Sequence, residues 1–287
     1  MNGFFIIDKA EGLTSSQVVQ KIKRQFKIKK AGHIGTLDPM ATGVLPVALG
    51  EATKVIPYLD ENIKIYSGVF LLGQATDTYD RLGKIIHEGN PAVIQEETIQ
   101  KQMAELVGEI DQIPPIYSSL KKAGKPYYYY ARQGITFEIP SRKVKIDEFR
   151  MIKKEGFAVS FYLKCGRGTY VRSLVHDLGV RLSCYAHLTE LRRLQSGRFT
   201  LEQAVPLAEL NPNHLLSVGE ALFDFPRIML SMEEEREIRY GRCLKKSFNE
   251  EKLHENQPLL LTRDDKVLAV ACLDAKVGLK PLRVLNG

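Results

Sequence analysis

The chain has 287 residues, 44% hydrophobic and 26% charged, an ordinary globular composition with length for about two domains. Lysine and arginine outnumber aspartate and glutamate by 41 to 34, so the formal charge of +7 favours a polyanionic partner. Neither a membrane span nor a secretory signal is expected, and reduced thiols are favoured over a disulfide framework. No apolar run approaches roughly 18 residues, the opening MNGFFIIDKAEG has no basic start, and Cys165, Cys184, Cys243 and Cys272 are scattered without a Cys-x-x-Cys pair.

Phe4 to Ile7 reads as a short buried strand, followed by a turn through Asp8 to Gly12. Thr14 and Gln17 have capping-box spacing, and Val19, Ile22 and Phe26 line one face of the helix they start. Its other faces and its exit carry Lys21, Lys23, Arg24, Lys27, Lys29 and Lys30, either a solvated surface or a phosphate-contacting one. Next comes His33 to Lys54, HIGTLDPMATGVLPVALGEATK, in which Asp38 sits among small, apolar and turn-forming residues. Local chemistry leaves two readings. Asp38 is either an Asp-Pro turn residue before a buried strand, Val44 to Leu49, or a lone carboxylate nucleophile presented on a loop.

Lys64 to Phe70 has a strand pattern and ends in a turn from Gly73 to Asp80, where Asp77 and Asp80 read as backbone-bonded turn acids. Thr98 to Val107 is expected to be an amphipathic helix stopped at Gly108. The string KKAGKPYYYYARQG, residues 121–134, interleaves bases with Tyr127 to Tyr130. It suits RNA, because charges track phosphates and rings stack on bases, and equally a short helix with two tyrosines inside and two outside. Val144 to Phe149 and Phe157 to Leu163 look like paired strands, the second alternating cleanly. A helix with Val171, Leu174, Val175 and Leu178 on its apolar face then begins beside Tyr170 and Arg172. His176 and His187 read as structural, and Cys184 with His187 lacks the second pair that a metal needs. Asn211-Pro212-Asn213 marks a loop, which puts a boundary near Phe225-Pro226 and divides the chain into 1–225 and 226–287. Beyond it, Met232 to Tyr240 reads as a helix ended by Gly241, and Leu259 to Leu261 pairs with Val267 to Cys272 around Arg263 to Lys266.

The string GTLDPMATGVLPVALGEATK resembles the central motif of the TruB-type tRNA pseudouridine synthases, which isomerise the uridine at position 55 in the T loop of tRNA. The opening segment resembles the same family, with Ala10 where proline is usual after the Asp-Lys pair. So do Gly73 to Asp80, the basic and tyrosine-rich string, Gly166 to Arg172 with Arg167 in place of the usual lysine, and Cys184 to Leu194. The resemblance implies an α+β pseudouridine synthase fold, a mixed and mainly antiparallel sheet flanked by helices. It adds a small strand-rich PUA-like C-terminal domain, with catalysis in 1–225 and RNA binding in 226–287.

It also implies roles for particular residues. Asp38 would be the nucleophile, Arg172 its partner, and Tyr66 would stack on the base and help remove the C5 proton. His33 would fill the space left by the flipped base, Tyr170 and Leu191 would wall the pocket, and Lys9, Lys121 and Arg132 would contact substrate. The expected partner is the T-arm of tRNA, bound by a cytoplasmic monomer with no obligate protein partner, no cofactor and no metal. The C-terminal stretch lacks a lysine-rich tail, as in the stand-alone enzyme rather than its guide-RNA-dependent relatives. A base-exchange transglycosylase and a non-catalytic RNA chaperone stay open as other classes.

Overall fold

The computed structural model describes residues 1–59, 62–245 and 255–286. Strand β1 (Gly3–Lys9) sends Phe4 and Ile6 to one side and Phe5 and Ile7 to the other, all buried, as period-two alternation requires. Helix α1 (Ser15–Gln25) starts with the capping box its spacing predicts: Thr14 Oγ1 accepts from the Gln17 amide, and Gln17 Oε1 accepts from the Thr14 amide. Its buried stripe is Val18, Val19 and Ile22. Strands β2 (Ala31–His33) and β3 (Thr42–Leu49) bracket the loop that carries Asp38, and β3 is buried from Gly43 onwards.

Strand β4 (Lys64–Leu72) leads into a hairpin, β5 (Gln74–Thr76) with β6 (Ile85–Glu88), then helix α2 (Glu96–Ala104) and strand β7 (Gly108–Gln112). This helix ends before the expected Val107. The amides of Leu106 and Val107 turn back to Met103 and Ala104, a tightened last turn, before Gly108 takes φ +114 and enters β7. Strands β8 (Lys121–Lys122) and β9 (Lys125–Pro126) form a small hairpin ahead of helix α3 (Tyr127–Arg132). The long hairpin of β10 (Arg142–Glu155) and β11 (Ala158–Cys165) buries Val159, Phe161 and Leu163 as expected. Phe157 instead lies in the turn, 47% exposed. Helix α4 (Val171–Arg181), strands β12 (Ala186–Ser196), β13 (Phe199–Thr200) and β14 (Val205–Pro206), and helix α5 (Val218–Ala221) complete this part.

The sheet has ten strands, ordered β14-β1-β3-β12-β4-β11-β10-β7, with β2 on β3 and β13 on β12. Only β1–β14 and β3–β12 run parallel, so the sheet is mixed and mainly antiparallel. The β3–β12 pairing is short, Arg192 to Thr42 and Arg193 to Gly43, yet it joins the two halves of the sheet. One face packs against α1, α2 and α4 through Ile22, Ile99, Met103 and Leu174.

A second sheet, ordered β15 (Arg227–Met229), β16 (Pro258–Arg263), β17 (Lys266–Asp274) and β18 (Gly278–Val284), accompanies helix α6 (Met232–Arg239). This is the small strand-rich, PUA-like C-terminal unit, and its hairpin register places Arg263 opposite Lys266 as anticipated. Leu230, Ile238, Leu259 and Leu261 form its own core, while Leu260, Val270 and Leu285 share a core with Phe4, Ile6 and Val44 of the large sheet. Among the described residues, no helix is long and apolar enough to cross a membrane.

The β3–β12 junction requires glycine at position 43. Gly43 has φ +97, and a Cβ there would stand 2.2 Å from the Arg193 carbonyl oxygen, which belongs to backbone that cannot swing away. Gly12 has a similar φ of +86 but open space around it. Gly12→Ala should therefore cost about 1–2 kcal/mol, from the left-handed backbone alone. Gly43→Ala should cost roughly 4 kcal/mol or more, or prevent folding. Urea titration of both variants checks this, and equal midpoints would remove the junction as a constraint.

Candidate active site

Asp38 projects from the loop between β2 and β3, and that loop is fastened from beneath. Ser15 Oγ donates to the Leu37 carbonyl at 3.1 Å and accepts from the Leu37 amide at 2.9 Å, as a hydroxyl can do at once. Lys9 Nζ donates to the carbonyls of Ala10, Leu13 and Pro39 at 2.9, 2.8 and 3.3 Å. Lys9 is 1% exposed and its three donors are all engaged, so it lies beneath the loop and not on the substrate surface where it was expected. Its bond to Ala10 also braces the turn at the position where the family usually has proline. Burial lowers the Lys9 ammonium to about 8, against the pull of Asp38 and Glu11 in the other direction.

Arg172 enters from the opposite side, in the first turn of α4. The start of that helix is fixed by Gln112, whose amide donates to the Tyr170 carbonyl at 3.0 Å and accepts from the Tyr170 N–H at 2.8 Å. Arg172 is 4% exposed, yet its donors find acceptors in three separate segments. Nε and Nη2 donate to the two Asp38 oxygens at 2.8 and 3.0 Å, Nη1 to the Thr78 carbonyl at 2.9 Å, and Nη2 again to the Tyr117 carbonyl at 3.0 Å. Such a fork matches a carboxylate in a way that an ammonium cannot.

Asp80 adds a second acid, 3.6 Å from Arg172 Nε. It is the backbone-bonded turn acid that the sequence suggests, accepting from Thr78 Oγ1 at 2.7 Å and the Leu82 amide at 3.0 Å. Its link to Arg172 was not legible. Asp77 accepts from the Lys84 amide of its own turn at 2.8 Å.

Tyr66 lies buried on β4 between β11 and β12, where burial pushes its phenol up to about 12 and the Arg193 guanidinium opposes the shift. The ring is therefore a neutral phenol near neutral pH. Leu191 is buried and lines a cleft of about 400 Å³ with Met40, Gly68 and Phe161. Ion pairs edge that cleft: Arg81 with Glu11, and Arg192 with Asp8 at 2.7 Å. His33 ends β2, half-buried at the root of the Asp38 loop, and Tyr170 lies under the Arg142 guanidinium at 4.7 Å.

Lys121 and Arg132 are exposed on the hairpin and helix that follow Tyr117, apart from the buried pair. Cations and rings interleave there, with Lys122 over Phe137 at 4.1 Å and Arg132 over Tyr128 at 5.4 Å. Of the four consecutive tyrosines only Tyr127 is buried, one fewer than expected, in a helix of six residues. His187 binds the Gln74 carbonyl at 3.0 Å and His176 stacks on Tyr79 at 3.9 Å, both structural roles.

The residue pattern gives no role to Arg193, Ser15 or Gln112, and it does not join Asp80 to Arg172. Arg193 alone carried a signal, because alternation from Leu191 places a charged residue on the inward face of a strand.

Arg172→Lys keeps the charge and loses the fork, leaving Asp38 held through one oxygen at most. Turnover should fall about 100-fold, the effect of a displacement near 1 Å, with the fold retained. A lysine variant working at the wild-type rate would dismiss the pairing. Lys9 yields a pH test. Its folded value of about 8 lies below the ordinary 10.5, so the unfolded chain holds more protons between those limits. Stability relative to Lys9→Met should therefore rise as pH climbs through this window, by on the order of 2 kcal/mol. A flat difference in denaturation energy would mean that the ammonium is solvated in the fold.

Residues 23–171 match the family described as TruB family pseudouridylate synthase (N terminal domain), and 172–233 match the tRNA pseudouridylate synthase B C-terminal domain. The tRNA pseudouridine synthase B of Geobacter sulfurreducens is 41% identical across 100% of this chain and 99% of its own. That of Histophilus somni is 37% identical across 99% of this chain and 95% of its own. A solved structure of a Cbf5-Nop10-Gar1 complex contains a chain that superposes with TM-score 0.72 at 25% identity, covering 99% of this chain and 85% of that one. With one family description spanning more than half its length and relatives aligned nearly end to end, this chain belongs to the TruB family of pseudouridylate synthases.

Proposed function

We propose that this chain is a tRNA pseudouridine synthase that converts the uridine at position 55 of the T loop to pseudouridine, with Asp38 as nucleophile. The observation that carries this is the Asp38–Arg172 pair, a carboxylate gripped through both oxygens on the loop whose sequence is the family's motif. The side chain of Asp38 is 32% exposed while that of Arg172 is 4% exposed, so the acid is open to an approaching substrate and the guanidinium is buried behind it.

The reaction breaks the N1–C1′ bond, turns the uracil, and joins C5 to C1′. C5 gives up a proton and N1 takes one up, so no electrons are gained or lost. Asp38 attacks either C1′ of the ribose or C6 of the uracil, and Arg172 aims it in both cases. Tyr66 stacks on the base; its neutral phenol serves the departing C5 proton as a hydrogen-bonding wall rather than as a standing base. Leu191 and Tyr170 exclude water, and His33 fills the place the base vacates. Flipping costs a few kcal/mol of unstacking, which the loop's shape and the phosphate contacts offset. Lys121, Arg132 and the basic face of α1 supply those contacts to the T-arm, and the C-terminal unit adds RNA surface. In this reading the enzyme is a cytoplasmic monomer.

Hydrogen at C5 decides between this and its rivals. tRNA transcript tritiated at uracil C5 should release about one label per turnover to water, saturating at one uridine per molecule. Asp38→Asn should release only a trace while binding tRNA about as well as wild type. Free labelled uracil would mark a base-exchange enzyme, and tight binding without release would mark an RNA chaperone. Either result would reject the synthase reading.

A further inference from the structure

A second arginine is buried against the Asp38 loop and holds no substrate-facing position. Arg193 is 0% exposed, among the largest fully buried side chains of the protein. It stands on β12 opposite Gly43 of β3 on one side and opposite Tyr66 of β4 on the other. Its Nε donates to the Val44 carbonyl at 2.7 Å and its Nη2 to the Gly35 carbonyl at 3.0 Å. Those two carbonyls lie on either side of Asp38 in sequence. One guanidinium therefore ties both ends of the nucleophile loop to the strand that also carries Leu191.

This cation is held in an unusual way. Among the described residues no carboxylate lies within ion-pair distance of it, and its Nη1 is buried without a hydrogen-bond partner. A Cβ at Gly35 would stand 3.2 Å from Nη1, so a glycine there lets the loop lie against the guanidinium. Burying a charge on carbonyls alone is costly, and an apolar side chain of similar size would pack at lower cost. What the arginine adds is geometry and field. It reaches two carbonyls in one plane, and its charge faces the Tyr66 phenol.

We propose that Arg193 is a positioning residue for the reaction: its guanidinium sets the Asp38 loop and the Tyr66 ring relative to each other, so that nucleophile and base-stacking wall are presented together. This rests on the synthase reading above. Arg172 aims the carboxylate, and Arg193 aims the backbone that carries it. Lysine keeps the charge but reaches only one of the two carbonyls, which frees one end of the loop.

The test compares wild type with Arg193→Lys and Arg193→Gln in the full chain. It measures C5-label release in a single turnover at saturating tRNA, tRNA affinity, melting temperature, and amide exchange of the loop 34–45. In Arg193→Lys the single-turnover rate should fall about 100-fold, while affinity stays within about threefold. Exchange should rise at least about tenfold in the loop and stay unchanged in α1 and β11. Arg193→Gln should be slower still; if it does not fold, the lysine variant alone decides.

A folded lysine variant within twofold of the wild-type rate overturns the proposal. So does a rate that falls only in step with affinity while loop exchange is unchanged, and so does a lysine variant that cannot fold, which would assign Arg193 to the core. Absence of label release by wild type would instead remove the synthase reading, so the two failures are distinct.

Discussion

A buried guanidinium that grips one carboxylate through both oxygens is the constraint on which this structure turns. Arg172 cannot lie in the interior unless its donors are met, and the chain meets them from segments 134, 94 and 55 residues away. Removing Arg172 would leave Asp38 and Asp80 without their shared cation, at a cost of about 3–5 kcal/mol. The loop of Asp38, the turn of Thr78 and Asp80, and the loop of Tyr117 are therefore held to one point. Gln112 serves the same end from a distance, because its clamp on Tyr170 determines where α4 begins and so where Arg172 points.

The loop carrying Asp38 is as tightly specified as the pair itself. Ser15 takes both polar groups of Leu37, Lys9 takes the carbonyl of Pro39, and Arg193 takes those of Gly35 and Val44. Irregular backbone inside a protein must satisfy its polar groups without a ladder, and here side chains from β1, α1 and β12 do so. A carboxylate fixed in this way needs little reorganisation when a ligand arrives, which is how a preorganised site lowers a barrier. Burial beneath the loop drives Lys9 down and Tyr66 up, and each shift favours the neutral form.

Around this rigid centre the contacts become looser and more polar. The hairpin and helix after Tyr117 present Lys121, Lys122, Lys125 and Arg132 with stacked rings, a surface that suits phosphates and unpaired bases. The C-terminal sheet packs Leu260 and Val270 against the back of β1 and β3, on the face away from α1 and α4.

Much of this was legible in the residues. Strand alternation in β1 and β11, the Thr14–Gln17 cap, the hairpin at Arg263 to Lys266 and the glycine that ends α6 each depend on neighbours a few positions away, so a local pattern suffices. Asp38 and Arg172 were found as a pair only through motif resemblance, because nothing local links residues 134 apart. Tertiary structure decided the rest. Lys9 resembles a surface base in sequence, and it became a buried brace because β1 runs directly beneath the loop. Asp80 was a turn acid until the fold brought Arg172 to it. Arg193 acquired its partners because β12 lies between β3 and β4, a strand order that depends on which faces can be buried together and not on any neighbouring residue.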